Sequence, residues 1–574
     1  DIVTGSNVFV QKGFSGIPGI FSKGFLYGFN GANDQSYRPV SLFSFAVEVG
    51  IWGDNPKPHH YFNVLWYSIA CLVLFLLLKR MFKNYSIWLS LVIVLLFAAH
   101  PVHTEAVANY KSRDEVLMLL FLTSALLNLI RYTVSQKYID MAWSFIFFFL
   151  AMLTKEQAVT FIAIIPLFLF FFTGSSYKRI VILILPFLAA TGLYIFIRAH
   201  ILDTMTFADK MNILNNALVA APNTADRLAT AILILGKYLA LLFFSHPLSW
   251  DYSYNQIPIV TFSNPQVILT ILGYLSLIAY ALIRLPKKDI YSFCILFFLI
   301  TMSVVSNIFI LIGSTLGERF LLTPSIAFCI AFCFLLMKIT KTQLPAGKPP
   351  RMSAFFGVIL VILLLYSAKT IARNGDWKNN RAIFESGVIT SPNSSRTHSS
   401  LAYEYRQSAI ASTDPVERSS YIEKARREFR KSLEIMPGCE HASYNLGVLE
   451  YELGNLTEAR NLFLQTVLYT PDDLNALNNL TAILFQRGEY DLALKYFLCT
   501  LKYKPKDANL IGNIGAVYQR LGNLSKAIEY DNKSLALDPS NITVYNNLIN
   551  IYAAAKDTSK VRMYLQLKSK YEKH

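Results

Sequence analysis

Residues 86–137 read SIWLSLVIVLLFAAHPVHTEAVANYKSRDEVLMLLFLTSALLNLIRYTVSQK, and this pattern decides the fold. Two runs, 86–100 extending to 108 and 115–134, are apolar around nearly the whole helical circumference. A helix apolar all round is either buried or spans a membrane, and each run reaches the about 17–22 residues that a crossing needs. The segment between them is the opposite in character: it carries His100, His103, Glu105, Arg113 and Asp114, with Glu115 opening the second run. Ionisable groups gathered at one membrane boundary are costly and point to a function.

Apolar runs of the same kind recur near 61–82, 179–199, 227–245, 266–284, 290–312, 322–340 and 354–371, and 141–173 reads as a hairpin of two shorter ones. The composition agrees, since 54% of the 574 residues are hydrophobic and only 16% charged, too apolar for one soluble domain. A net charge of +16 raises the question of nucleic-acid binding, but Lys and Arg sit in short loops beside the runs, as at Lys79/Arg80/Lys83, Lys178/Arg179 and Arg284/Lys287/Lys288. That distribution sets membrane orientation and makes those loops cytoplasmic. Loops 1–60, 100–114, 154–157, 200–226, 246–264 and 313–321 then face the external or lumenal side. Two of these flank 227–245, so that run, which carries Arg227 and Lys237, is read as re-entrant or interfacial. The count is about ten crossings, with the tail after 372 external. The chain opens on Asp1 rather than Met and is read as starting in a loop, with one further crossing missing upstream. The six cysteines, four in apolar runs and Cys439 and Cys499 in separate parts of the tail, form no CxxC site or disulfide framework.

After Arg373 the sequence turns polar and a fixed period appears. Pro437, Pro471, Pro505 and Pro539 are 34 residues apart, and so are Asn445, Asn479, Asn513 and Asn547. Gly454, Gly488 and Gly522 keep the step, as do Ala459, Ala493 and Ala527. This is the tetratricopeptide (TPR) period: the small Ala lets paired helices approach, Gly permits the turn inside a repeat, and Pro ends the second helix. Residues 1–60 are thus read as an external loop, 61–372 as the membrane domain, 373–395 as a linker and 396–574 as an array of about five repeats. The fold class is all-α, a polytopic bundle followed by an α-solenoid.

The external loops carry more chemistry than a mere anchor needs. Loop 1–60 holds Asp1 and Ser36-Tyr37-Arg38-Pro39; loop 154–157 is Thr154-Lys155-Glu156-Gln157; loop 246–264 holds Asp251; loop 313–321 holds Glu318-Arg319. Converging Arg and Lys suit a phosphate leaving group, and a carboxylate suits removal of a proton from an acceptor hydroxyl. Each feature also has a plainer reading. Arg113, Asp114 and Glu115 fit the start of a helix, Lys155 and Glu156 an interfacial ion pair, and Tyr37-Arg38-Pro39 a loop-folding turn. His100, His103 and Glu105 have metal-like spacing but lack a third convincing ligand, so a hydrogen-bonding role is the better reading.

The ordered set Ser36-Tyr37-Arg38-Pro39, His100-Pro101-Val102-His103-Thr104-Glu105, Lys155-Glu156-Gln157, Leu248-Ser249-Trp250-Asp251-Tyr252-Ser253 and Glu318-Arg319-Phe320, followed by TPRs, resembles the transmembrane and tetratricopeptide-repeat-containing (TMTC) proteins. That resemblance implies a GT-C-type glycosyltransferase, similar to protein O-mannosyltransferases that use dolichyl-phosphate mannose. It places Asp1 at the end of the acidic pair in the first external loop, as candidate catalytic base for a Ser or Thr hydroxyl, with inversion at the anomeric carbon. Arg38, Arg113 and Arg319, with Lys155 behind them, become the donor-phosphate candidates. Tyr37, His100, His103, Glu105, Asp114, Glu156, Asp251 and Glu318 become supporting residues. The chain departs from the family at Arg113-Asp114-Glu115, where Arg-Ala-Asp is usual, and at Leu321, where Tyr is usual.

The implied donor is a sugar on a polyprenyl- or dolichyl-phosphate, and the implied partners are the bilayer and an acceptor protein held by the TPR groove. No cofactor is called for, and a divalent metal is left open without a ligand set. Sequons fall in the tail, one of them at Asn479, a packed repeat position. A bacterial inner membrane with a periplasmic tail is therefore favoured over the endoplasmic reticulum. The competing functions are a transferase onto a lipid or glycan, and a non-catalytic membrane scaffold for an envelope or quality-control complex.

Overall fold

The computed structural model describes residues 4–29, 36–202, 212–348 and 353–571, so Asp1 lies outside the described residues. Two compact units follow one another in sequence, 1–394 and 395–574.

Among the described residues of the first unit five helices are long and apolar enough to cross a membrane: Pro56–Met81, Tyr110–Ser135, Tyr177–Ile201, Pro265–Lys287 and Ala354–Asp376. A sixth is a pair, Ile87–Ala99 and Pro101–Ala108, bent by 52° at His100. Pro101 causes the break, because it has no N–H to continue the helical ladder. Shorter apolar helices, among them Tyr138–Thr154, Ile290–Ser303 and Ser325–Ile339, fill out the bundle. Asn55, before Pro56, accepts a hydrogen bond from the Lys57 N–H and starts one long helix, and Ser176 does the same through Arg179. Lys79 and Arg80 lie in the last turn of the Pro56–Met81 helix, where cations complement the helix dipole.

The spans differ in how much they bury. The apolar window of Tyr110–Ser135 is 78% buried, whereas those of Pro265–Lys287 and Ala354–Asp376 are 11% buried. The first is the bundle's centre, packed between Pro56–Met81 and Tyr138–Thr154, and the others leave Leu269, Ile283 and Leu365 for lipid to cover.

Some expectations change. The run 290–312 was read as one helix, but the helix ends at Ser303. Asn307, at φ 58°, turns the chain there and donates to the carbonyls of Ser314 and Thr315. The 227–245 run forms the Thr224–Phe243 helix, whose Asp226, Arg227 and Lys237 keep it out of the group of apolar spans. The first external loop is folded rather than extended: Val8–Gln11, Ile17–Ser22 and Pro39–Trp52 are helices around Val10, Ile20, Phe25, Leu42 and Phe45. Most of the stretch read as a linker is also helical, as the end of the Ala354–Asp376 helix and the Asn380–Thr390 helix of the first unit.

The second unit is five antiparallel helix pairs, beginning with Ser395–Ala411 and Pro415–Ile435 and ending with Ile542–Ala554 and Thr558–Tyr571. Gly454, Gly488 and Gly522 sit at φ +81°, +73° and +77°, the left-handed region that glycine alone enters at little cost. Ala459, Ala493 and Ala527 are fully buried at the helix crossings.

Candidate functional site

The centre of the site is the first turn of the Arg113–Ser135 helix. Asp114 and Glu115 are buried there, and two segments distant in sequence bring cations to them. Lys155, at the extended turn after the Tyr138–Thr154 helix, places its Nζ 3.0 Å from Asp114 Oδ2 and 2.6 Å from Glu115 Oε1. Arg38, just before Pro39 opens a helix, donates from Nη1 to Asp114 Oδ2 at 2.8 Å and from Nε to Glu156 Oε2 at 2.9 Å. The Tyr37 N–H donates to the other Glu156 oxygen at 3.2 Å, which fixes the Tyr37-Arg38 backbone against the 154–157 turn.

Arg319 comes from a third segment, the short helix Glu318–Leu321. Its Nη1 pairs with Glu105 Oε1, and its backbone N–H donates to Glu105 Oε2 at 2.9 Å. The charge of Arg319 also reaches Glu115 and Asp114, and the Phe320 ring lies 4.7 Å from the Arg319 guanidinium and 5.7 Å from Lys155 Nζ. Three cations and four carboxylates therefore form one seam. Arg38, Glu156 and Arg319 are its partly exposed rim, with side chains 22, 26 and 29% accessible, while Lys155, Asp114, Glu115 and Glu105 form its buried floor.

Other predicted residues lie elsewhere. Arg113, expected among the phosphate cations, is fully buried in a separate cluster. Its Nη1 donates to Glu48 Oε1 at 2.5 Å, its Nη2 donates to the His59 carbonyl at 2.7 Å, and it lies over the Phe45 ring. A guanidinium so enclosed is bound to its own protein, and Glu48 in turn holds His59 Nδ1. Glu48 and His59 were missed by sequence reasoning; the signal was an acidic residue and a histidine inside otherwise apolar helices.

His100 and His103 are buried and satisfied. His100 Nε2 lies 3.1 Å from the Leu242 carbonyl, and His103 bridges the Tyr67 hydroxyl at 2.9 Å and Ser325 Oγ at 2.8 Å. They tie the bent pair to its neighbours. Asp251 accepts from Ser253 Oγ and Ser394 Oγ, both at 2.6 Å, and so fastens loop 246–264 to the chain at 391–394. Glu318 Oε1 accepts from the Ser249 N–H at 2.6 Å and the Tyr252 hydroxyl at 2.7 Å. Burial, aided by the nearby Glu105 charge, pushes the Glu318 carboxyl up to about 8. Among the described residues no group of three or more His, Cys, Asp or Glu has the geometry of a metal site.

The seam can hold and exchange anions at its rim, because Arg38 and Arg319 have both partners and accessible surface. Comparison with known proteins bears on what it does. The tetratricopeptide repeat family matches residues 419–476, 444–508 and 508–541. The chain is 27% identical over 371 residues to "Protein O-mannosyl-transferase F38B6.6" of Caenorhabditis elegans, covering 64% of this chain and 50% of that protein. It is 25% identical over 435 residues to "Protein O-mannosyl-transferase tmtc2" of Xenopus laevis, covering 62% and 51%. Against "Protein O-mannosyl-transferase TMTC1" of Mus musculus it is 24% identical over 523 residues, covering 73% and 53%. The chain thus spans about half the length of the curated relatives it matches. Among solved structures, "MamA 41-end from Desulfovibrio magneticus RS-1" is 22% identical with a TM-score of 0.26, covering 30% of this chain and 95% of that one.

Proposed function

We propose that the chain, similar to proteins named protein O-mannosyl-transferases and ending in tetratricopeptide repeats, is a member of the transmembrane and tetratricopeptide-repeat-containing (TMTC) family and a membrane glycosyltransferase of GT-C type. It moves a mannose-like sugar from a polyprenyl- or dolichyl-phosphate to Ser or Thr of an acceptor protein held by the TPR array. One observation carries the reading: cations from three distant segments, Arg38, Lys155 and Arg319, meet on one acidic seam, and two of them keep exposed edges.

In this reaction the acceptor oxygen attacks the anomeric carbon, the carbon–oxygen bond to phosphate breaks, and the lipid phosphate leaves with the electron pair. Arg38 and Arg319 turn their accessible N–H groups to that phosphate as its charge grows, in partial exchange for Glu156 and Glu105. Lys155 stays on Asp114 and Glu115 and holds the floor rigid. Asp1 is the proposed base that takes the hydroxyl proton. The active face is external, and a periplasmic setting is favoured over a lumenal one by the sequon at the half-buried Asn479.

A second reading is favoured by the ion pairing itself. Arg38, Lys155 and Arg319 each already face a carboxylate, which suits a purely structural network in a non-catalytic scaffold. Kinetics with a purified lipid-linked donor decide between them. Arg319→Ala is expected to lower kcat/KM for the donor about 10- to 100-fold, the value of a lost charged hydrogen bond or two, with acceptor affinity unchanged. Asp1→Asn is expected to abolish transfer while the membrane unit stays folded. Absence of transfer by the parent protein leaves the scaffold reading, and unchanged turnover in both variants removes Arg319 and Asp1 from the chemistry.

A further inference from the structure

In four successive repeats the first helices are Glu440–Glu452, Leu474–Gln486, Ala508–Arg520 and Ile542–Ala554, and each buries one apolar side. A second stripe runs at i, i+3, i+4 and i+7 from His441, Asn475, Asn509 and Thr543. More than half of its positions are Asn, and none is Asp, Glu, Lys or Arg. Much of it is open to solvent, including Asn475, Asn478, Asn509 and Asn546. Asn is a poor helix former and protein surfaces are ordinarily rich in charge, so neither local folding nor solubility accounts for this composition.

Amides also join one repeat to the next. Asn513 Nδ2 donates to Asn478 Oδ1 at 3.2 Å, and Asn541 Nδ2 donates to Asn509 Oδ1 at 3.0 Å. Neutral amide pairs thus link the last three of these four repeats along the stripe. A side-chain amide offers the same pair of groups as a peptide unit. Packed helices lie about 8–10 Å apart, and an extended chain rises about 3.3 Å per residue, so successive repeats meet every third residue of an extended peptide.

We propose that this asparagine stripe is a docking ladder for an extended, unfolded polypeptide segment, gripped through its main chain and indifferent to most of its side chains. The proposal deepens the acceptor-holding role of the array and rests on that reading. It gives the partner a chemistry: exposed peptide groups rather than a charged or apolar motif.

Fluorescence anisotropy on the full chain in detergent tests it, with a fluorescein-labelled 12-residue peptide of Thr, Ser and Val as probe. A scrambled peptide of the same composition is expected to bind within about threefold, and one N-methylated at every third amide at least about tenfold more weakly. Asn475→Ala with Asn546→Ala, at exposed positions, is expected to weaken the parent peptide about tenfold with an unchanged thermal melt. Absence of saturable binding, equal binding of the N-methylated peptide, or equal binding by the variant overturns the ladder. If the peptide binds through the stripe yet the double variant transfers sugar to it at the parent rate, the ladder stands and the acceptor reading fails.

Discussion

Two arginines on neighbouring elements show how placement decides a residue's role. Arg38 bridges Asp114 and Glu156 with part of its surface open, whereas Arg113 is enclosed by Glu48, the His59 carbonyl and Phe45. Removing one partner of an enclosed pair leaves an uncompensated buried charge, so Arg113→Ala is expected to cost about 3–5 kcal/mol of stability, read as a lowered Tm in detergent. A folded Arg113→Ala protein with a selective donor defect would contradict this assignment. Glu318 makes a pH prediction. Its carboxyl is raised from the ordinary 4.5 to about 8, first by burial and then by Glu105, so the folded state binds a proton that the unfolded chain releases. Its contribution is full below about pH 4.5 and is lost as pH rises through about 8. Melting between pH 6 and 9 is expected to show a fall in Tm that flattens in Glu318→Gln. These partnerships were hidden in the sequence: Arg113 and Glu48 lie 65 positions apart, and nothing in either local pattern names the other.

At the scale of elements the sequence is more legible, because periodicity is a local property. Apolar runs marked every long span, and the 34-residue step marked the repeats, since each repeat solves the same packing problem. What it hid were elements stabilised by distant contacts, such as the helices of the first loop and the early end of the Ile290–Ser303 helix at Asn307. The repeat step also exposes two flaws. Lys556 takes the place of Gly454, Gly488 and Gly522 and is forced to φ 57°. Lys556→Gly is expected to stabilise the last repeat by about 1 kcal/mol, measured by chemical denaturation, because the left-handed cost of an L side chain is removed. Asp531 follows Phe429, Phe463 and Phe497 at the same step and is fully buried, with the Asn547 side chain beside it. Burial raises its carboxyl to about 7. Its destabilising charge therefore appears as pH rises through about 7, and Asp531→Asn is expected to raise Tm more at pH 8 than at pH 6.

For the whole molecule the open question of function becomes one of sides. The charge bias predicts that the basic loops, such as Lys79/Arg80/Lys83 and Arg284/Lys287/Lys288, lie on the cytoplasmic face, and the proposed topology puts the repeats on the opposite one. A sugar on a lipid carrier is used on the face where its phosphate meets the acceptor, so the seam and the array must share a compartment for the proposed reaction. The chain carries its own probe for the array. Of its six cysteines, Cys499 in the Tyr490–Leu501 helix is exposed, while Cys71, Cys294, Cys329, Cys333 and Cys439 are buried. A membrane-impermeant maleimide should therefore label intact, right-side-out cells or vesicles at Cys499 alone, and Cys499→Ser should abolish the signal. Labelling that appears only after permeabilisation would put the array with the basic loops. In that case Arg38 and Arg319 would face a compartment from which the array is absent, and acceptor capture by the repeats would have to be abandoned even if transfer itself were observed.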